Sequence, residues 1–136
     1  MISNQILQNT VDGVNGITKM DLCVMDTEGN VLAATSEDFS KFEEDGHSFV
    51  QSPADSQVLH DCQFFKIYDD TQLEYIVVVR GDSEDAYTIG KMIVLQIQGL
   101  LVAYKERYDK DNFIKNLLMD NLLLVDIYNR AKKLHV

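Results

Sequence analysis

The sequence predicts an α+β fold in which an antiparallel sheet of about five strands is covered by helices on both faces. Two runs of β-favouring residues flank the polar turn at residues 69–72, which indicates a hairpin over 64–81. Its second strand contains the unbroken apolar run 76–79, and a strand of that kind is buried on both faces. Helical apolar periodicity at residues 3–19 and 84–108 supplies the covering helices.

The elements before the hairpin are short. Residues 3–19 predict an N-terminal helix with Ser3 as its N-cap. A strand-turn-strand pattern follows over residues 21–36, with its turn at 27–30. A short acidic helix is predicted to begin at Ser36 or just after it and to end at Gly46. Pro53 then marks a loop, and residues 57–60 predict a short edge strand.

The C-terminal third of the chain is predicted to be helical. Acidic residues open the helix over 84–108 and basic residues close it, as the helix dipole favours. The helix is expected to continue beyond residue 108, with a break near Val125 and a new N-cap at Asp126. The last helix has nothing to cover in this sequence, so we expect the chain to be the N-terminal region of a longer protein.

Composition and charge restrict the function. The chain has 136 residues, 46% of them hydrophobic, and a net charge of −10. Residues 1–104 carry 5 basic against 17 acidic residues, whereas residues 105–136 carry 7 against 5. A surface this acidic disfavours direct nucleic-acid binding. The sequence shows neither a signal peptide nor an apolar run of about 18 residues, so we expect a cytoplasmic domain without membrane contact.

The order of the elements is typical of PAS-like sensors: helix, two strands, short helix, three strands, long helix. Two stretches carry a closer likeness. The segments "VMDTEGNVLAATSEDFSKFEEDGHSFV" and "FIKNLLMDNLLLVDIYNRAKKL" together resemble the N-terminal sensory region of the carbohydrate diacid regulator family, which are bacterial transcription factors. The resemblance covers nearly the whole chain and is most specific in the helices after residue 112.

The resemblance implies a PAS/Cache-like domain for sugar diacid recognition, here residues 1–108, and a helical linker over 109–136 toward output domains. It implies DNA binding only through a C-terminal helix-turn-helix domain that this sequence does not contain. The sequence departs from diacid sensors in the short segment between His47 and Cys62 and in lacking their Gly-rich last strand. The ligand's identity therefore does not carry over.

Two cations lie in the predicted hairpin. With Tyr68 opposite Leu73, strict alternation places Lys66 on one face of the sheet and Arg80 on the other. The resemblance implies that the position of Arg80 is a polar pocket residue, where a guanidinium would bind a carboxylate through two parallel hydrogen bonds. A salt bridge at the strand end, for example to Asp61, explains Arg80 equally well.

Four further residues complete the predicted ligand site. His47 is expected where the short helices cap the cavity, although a lone histidine is more often structural. Thr35 and Ser36 could donate hydrogen bonds to a ligand, and Ser36 is equally suited to cap a helix. Phe65 falls on the predicted face of Arg80. If it fills the cavity instead, together with other large apolar side chains (Phe39, Phe42 and Phe49), no ligand is expected.

The helix over 84–108 is apolar on most of its circumference, which predicts a homodimer. One apolar stripe can pack on the sheet and the other needs a partner. The predicted interface consists of Ile93, Ile97, Leu100, Leu101 and Tyr104. Mid-helix Gly99 supports a close contact, because an exposed glycine there costs about 1 kcal/mol relative to alanine.

The functional hypothesis is a small-molecule sensor that binds a small carboxylate such as a sugar acid and signals through a dimeric helix. The alternative is a degenerate PAS-like module that dimerises without a ligand. An enzyme is not expected, because the sequence lacks a phosphate-binding loop, a nucleophile elbow and a Cys/His cluster. We expect no cofactor and no metal site, and we interpret Cys23 and Cys62 as buried free thiols.

Overall fold

A computed structural model describes the backbone of residues 2–134 and the side chains of residues 2–115, 117 and 118. The elements in chain order are α1 (Asn4–Thr18), β1 (Leu22–Met25), β2 (Val31–Ala34), the 3-10 helix η1 (Glu37–Phe42), α2 (Glu43–Gln51), β3 (Ser56–Leu59), β4 (Cys62–Asp69), β5 (Gln72–Arg80) and α3 (Glu84–Leu134). The predicted α+β class, with five strands and terminal helices, is confirmed.

The sheet has the strand order β2-β1-β5-β4-β3, and every neighbouring pair is antiparallel. Central β5 is buried over Tyr75–Val79, which explains its unbroken apolar run. Strand pairing places Cys23, Met25, Phe64, Ile76 and Val78 on one face, where they pack with phenylalanines of η1 and α2. We call these two short helices the cap.

The terminal helices cover the other face. The Phe65 ring of β4 lies against the ring of Tyr87 in α3, with 5.7 Å between the ring centres. A Cβ atom added to Gly90 would lie 2.1 Å from Phe65 Cε2, so α3 approaches the sheet closely only because residue 90 is glycine. Leu7 and Val11 bury the inner side of α1, which begins at the predicted N-cap Ser3.

The cap extends further than the sequence predicts. The acidic helix does not end at Gly46, because α2 continues to Gln51. A Cβ atom at Gly46 would lie 2.6 Å from Met25 Sδ, which shows that this glycine lets α2 pack against β1. The glycine is therefore a packing residue rather than a helix terminator.

The chain divides into two compact units, Met1–Val102 and Ala103–Val136. The first contains the sheet, both faces of its core and the first part of α3. The second consists of the rest of α3, where the predicted break near Val125 is wrong because the helix continues to Leu134. The side chain of the predicted N-cap Asp126 lies outside the described side chains.

One helix of the described residues, over Glu84–Lys115, is long and apolar enough by length and composition to cross a membrane, because it contains an 18-residue stretch with a mean hydropathy of 1.4. The sequence-based expectation of no segment apolar enough to span a membrane is therefore corrected. Its Ile93 and Ile97 are buried in the core of a small α+β domain. The core helix of a soluble domain passes the same test of length and composition, so the segment is weak grounds for a membrane span.

Candidate functional site

Lys66 and Arg80 both project from the cap face of the sheet. The predicted pairing of Tyr68 with Leu73 is present, but Ile67 pairs with Tyr75, which leaves Glu74 as a bulged residue. One extra residue reverses the alternation of every later position in β5. The prediction of opposite faces is therefore wrong.

Arg80 links the end of the sheet to η1. Its Nη1 lies 3.5 Å from Asp21 Oδ2, and its Nη2 lies 3.9 Å from Asp38 Oδ2. The guanidinium carbon stands 5.1 Å from the centre of the Phe39 ring. The geometry thus matches a salt bridge at the strand end, with Asp21 and Asp38 as partners instead of Asp61.

Thr35 belongs to the same cluster as Arg80. Its hydroxyl donates to Asp21 Oδ1 at 3.0 Å and accepts from the backbone N–H of Leu22 at 3.0 Å. Asp21 therefore holds Thr35 and Arg80 at once. Sequence reasoning missed Asp21 and Asp38, because nothing in the local sequence indicates ion pairs between residues so distant in the chain, such as Asp21 and Arg80, which are 59 positions apart.

Lys66 makes the corresponding link to α2. Its Nζ donates to the backbone carbonyl of Ser52, the C-cap residue of that helix, and lies 5.0 Å from the centre of the Phe49 ring. Its side chain is buried, with 7% exposed. A cation at a helix C-terminus is stabilised by the helix dipole, which explains how this charge is accommodated in the core.

Each helix of the cap is thus attached to the sheet by one cation–aromatic pair, Arg80–Phe39 for η1 and Lys66–Phe49 for α2. Such pairs contribute about 0.5–2 kcal/mol each, with the larger values where the cation is desolvated. Both hairpin cations are engaged with groups of the protein itself. These contacts attach the cap to the sheet.

The space between the cap and the sheet is filled with aromatic side chains. Phe39, Phe49 and Phe64 are fully buried, and Phe42 is 7% exposed. The rings of Phe49 and Phe64 meet edge to face, with 5.7 Å between their centres. These rings pack with the sheet residues Cys23, Met25, Cys62, Ile76 and Val78. The space in which the predicted ligand would lie is therefore filled by core side chains.

Two predicted ligand residues lie apart from Arg80. Phe65 packs on α3, on the face of the sheet opposite Arg80, because the bulge at Glu74 shifts the strand register. The predicted common face of Phe65 and Arg80 is wrong. His47 is exposed on α2, and its Nε2 lies 3.4 Å from the side-chain nitrogen of Gln51.

Thr35 and Ser36 line a surface cleft of about 330 Å³ along the edge strand β2. The Ser36 hydroxyl already accepts the N–H of Asp38 as the N-cap of η1. Glu37 also lines the cleft, and its lining includes no lysine, arginine or histidine. A carboxylate ligand would meet a like charge and no counter-charge there.

The two thiols of the cap face are protonated at neutral pH. Burial raises the pKa of the Cys23 thiol above its ordinary value of 9.0. Burial also raises the pKa of Cys62, although the Arg80 guanidinium opposes part of that rise. Low-pKa character is what makes a cysteine reactive, and neither thiol has it. Within the described part of the chain, no group of three His, Cys, Asp or Glu side chains is placed to hold a metal ion.

The predicted dimer interface is largely used within one chain. Ile93, Ile97 and Leu101 are 1%, 0% and 5% exposed, because they pack in the core of the first unit. Leu100 and Tyr104 are partly buried. Ile93, Ile97 and Leu101 are therefore not available to a partner, and the interface assignment is corrected. Among the described side chains, the large apolar residues of α3 that remain exposed in the first unit are Tyr87, Met92, Leu95 and Val102, and the second unit exposes others (Tyr108, Phe113, Ile114, Leu117 and Leu118).

A scan of the chain against protein-family models finds no match. A search of curated proteins finds no significant match either.

Proposed function

We propose that this chain is a PAS-like module of a cytoplasmic bacterial transcriptional regulator that dimerises and positions its output helix without a ligand beneath the cap. The main support for this proposal is the aromatic core between the cap and the sheet, in which Phe39, Phe49 and Phe64 are fully buried. A ligand of sugar-acid size would need this core to open. The module is not an enzyme under this proposal.

The family assignment within this proposal comes from the resemblance of the two quoted segments to carbohydrate diacid regulators. Under that assignment, DNA is bound by a helix-turn-helix domain C-terminal to this sequence. The role of the present chain is then to dimerise and to hold α3 in a fixed position on the sheet. Gly90 against Phe65, with Ile93 and Ile97 in the core, anchors α3 to the sheet.

A thermal-shift titration with sugar diacids, monocarboxylates and neutral sugars tests the proposal. A ligand at ten times its Kd stabilises the folded state by about 1.4 kcal/mol, which raises the Tm of a domain this size by about 3–8 °C. We expect no saturable rise across the panel. A saturable rise with any of these compounds would contradict the ligand-free module.

The second candidate function is the small-carboxylate sensor. The observation in its favour is that two of the predicted ligand residues, Thr35 and Ser36, line a cleft of about 330 Å³, while Glu37 in the same cleft opposes an anion. If a carboxylate bound there, Ser36→Ala would weaken the thermal shift, whereas His47→Ala, on the exposed side of α2, would leave it unchanged. If Arg80 were the anchor, Arg80→Ala would abolish the shift.

A further inference from the structure

An apolar surface remains uncovered on the side of the molecule opposite the cap. Ile17 of α1 is 86% exposed, and Met92, Leu95 and Val102 of α3 are 64%, 71% and 55% exposed. We call these four residues the outer patch. Met92, Leu95 and Val102 recur at spacings of three and seven residues, so they lie on one side of α3.

A groove between α1 and α3 borders the outer patch at Ile17 and Met92. It has a volume of about 200 Å³ and is lined by Ile17, Met92 and further residues of both helices (Val14, Thr18, Ile89, Ile93 and Gln96). None of the lining residues carries a charge. The groove can accept an apolar side chain from another molecule.

Charge favours a second copy of the chain as the occupant over a basic partner or an anionic membrane. Residues 13–18 and 92–104 contain no charged side chain, although the whole chain has a net charge of −10. Two such chains repel one another at most orientations and least where these neutral segments meet. A basic partner would favour the acidic surfaces instead, and an anionic membrane would repel the chain.

We propose that two copies associate through their outer patches, each placing apolar side chains in the α1–α3 groove of the other. The contact is isologous, because the same patch serves both copies. This inference rests on the proposed function and deepens it by naming the dimerising surface. The proposed interface consists of residues that are exposed in a single chain, whereas the interface predicted from the sequence includes residues of α3 that are buried.

Size-exclusion chromatography with light scattering, over about 1–100 µM protein, measures the association. The unmodified 136-residue chain is expected to show twice its mass of 15.5 kDa. Val102→Glu places a charge in the outer patch and should raise the dimer dissociation constant about 30-fold or more. Leu95→Glu should act in the same direction.

Val58→Glu is the matched control. Val58 lies on β3, outside the outer patch, and is 56% exposed, against 55% for Val102. The control should stay dimeric, and circular dichroism should show that all three variants keep the fold. A monomeric parent chain at 100 µM, or equal loss of dimer in Val58→Glu and Val102→Glu, overturns the proposal.

Sedimentation with neutral phosphatidylcholine vesicles separates a membrane from a second copy as the occupant. The chain should remain in the supernatant as a dimer. Vesicle binding by a monomeric chain would overturn the proposal. The ligand titration is independent of both measurements, so a saturable thermal shift in a dimeric protein would contradict only the ligand-free function.

Discussion

At the scale of single residues, the two hairpin cations are explained by what lies above them in the cap. Arg80 stands beneath Phe39 and between Asp21 and Asp38, and Lys66 stands beneath Phe49. A sheet covered on both faces can contain these charges because the cap supplies aromatic faces and acceptors. The cations attach the cap to the sheet.

Arg80→Ala should destabilise the protein by about 1–2 kcal/mol, since it removes two ion pairs of a partly exposed guanidinium and one cation–aromatic contact. Urea unfolding measures the change. Lys41→Ala is the control, because Lys41 is exposed and lies 5.3 Å from the Phe42 ring. A loss in Arg80→Ala no larger than in Lys41→Ala would contradict the attachment role.

The buried thiols predict how stability changes with pH. The pKa values of Cys23 and Cys62 are raised in the folded protein, so above pH 9.0 the unfolded chain loses protons that the folded chain keeps. The free energy of unfolding should therefore fall as pH rises past 9, by up to about 1.4 kcal/mol per pH unit for each thiol. Urea titrations between pH 7.5 and 10 measure the slope.

The control for the pH dependence is Cys23→Ala, which should show a shallower slope over the same range. The Tyr75 phenol, whose pKa is also raised by burial, contributes a further decline near pH 10 and is present in both proteins. Equal slopes in the parent and the variant would contradict the account of Cys23.

At the scale of elements, periodicity predicts the type and order of the helices and strands, because each has a buried face of the right spacing. Periodicity does not predict the bulge at Glu74, because the sequence of β5 reads as a strand with or without it. A single bulged residue nevertheless reverses which face each later residue points to. Strict alternation therefore places Lys66 and Phe65 on the wrong faces, whereas Arg80 lies on the cap face, as predicted for a pocket residue. The pairing of Tyr68 with Leu73 was local enough to predict.

Two glycines within helices should respond to alanine in opposite directions. Gly90→Ala should lower the free energy of unfolding, because the new Cβ would lie 2.1 Å from Phe65 Cε2 and overpacking costs about 1–3 kcal/mol. Gly13→Ala should raise it by about 0.5–1 kcal/mol, because a Cβ atom there has nothing within 4 Å. Chemical denaturation of both variants measures the signs, and a stabilised Gly90→Ala would contradict the close packing of α3 on β4.

At the scale of the whole molecule, one side of the sheet is closed by the cap and the other by α1 and α3. The candidate site was only partly predictable. Thr35 and Arg80 do meet, through Asp21. The aromatic filling depends on Phe49, which lies beyond the predicted helix end, and on the close packing of α2 against β1 at Gly46. Tertiary packing of this kind leaves no local signal in the sequence.

The central claim is that the space under the cap is core, and the stability of Phe49→Ala tests it most directly. Phe49 is fully buried and meets both Phe64 and Lys66. Urea unfolding should show a loss of about 3–5 kcal/mol, the cost of a cavity in a packed interior. If the alanine variant does not fold, Phe49→Leu should show a smaller loss that still exceeds about 1 kcal/mol. A loss below about 1 kcal/mol would show that Phe49 borders open space, and would contradict the account of the cap as a filled core.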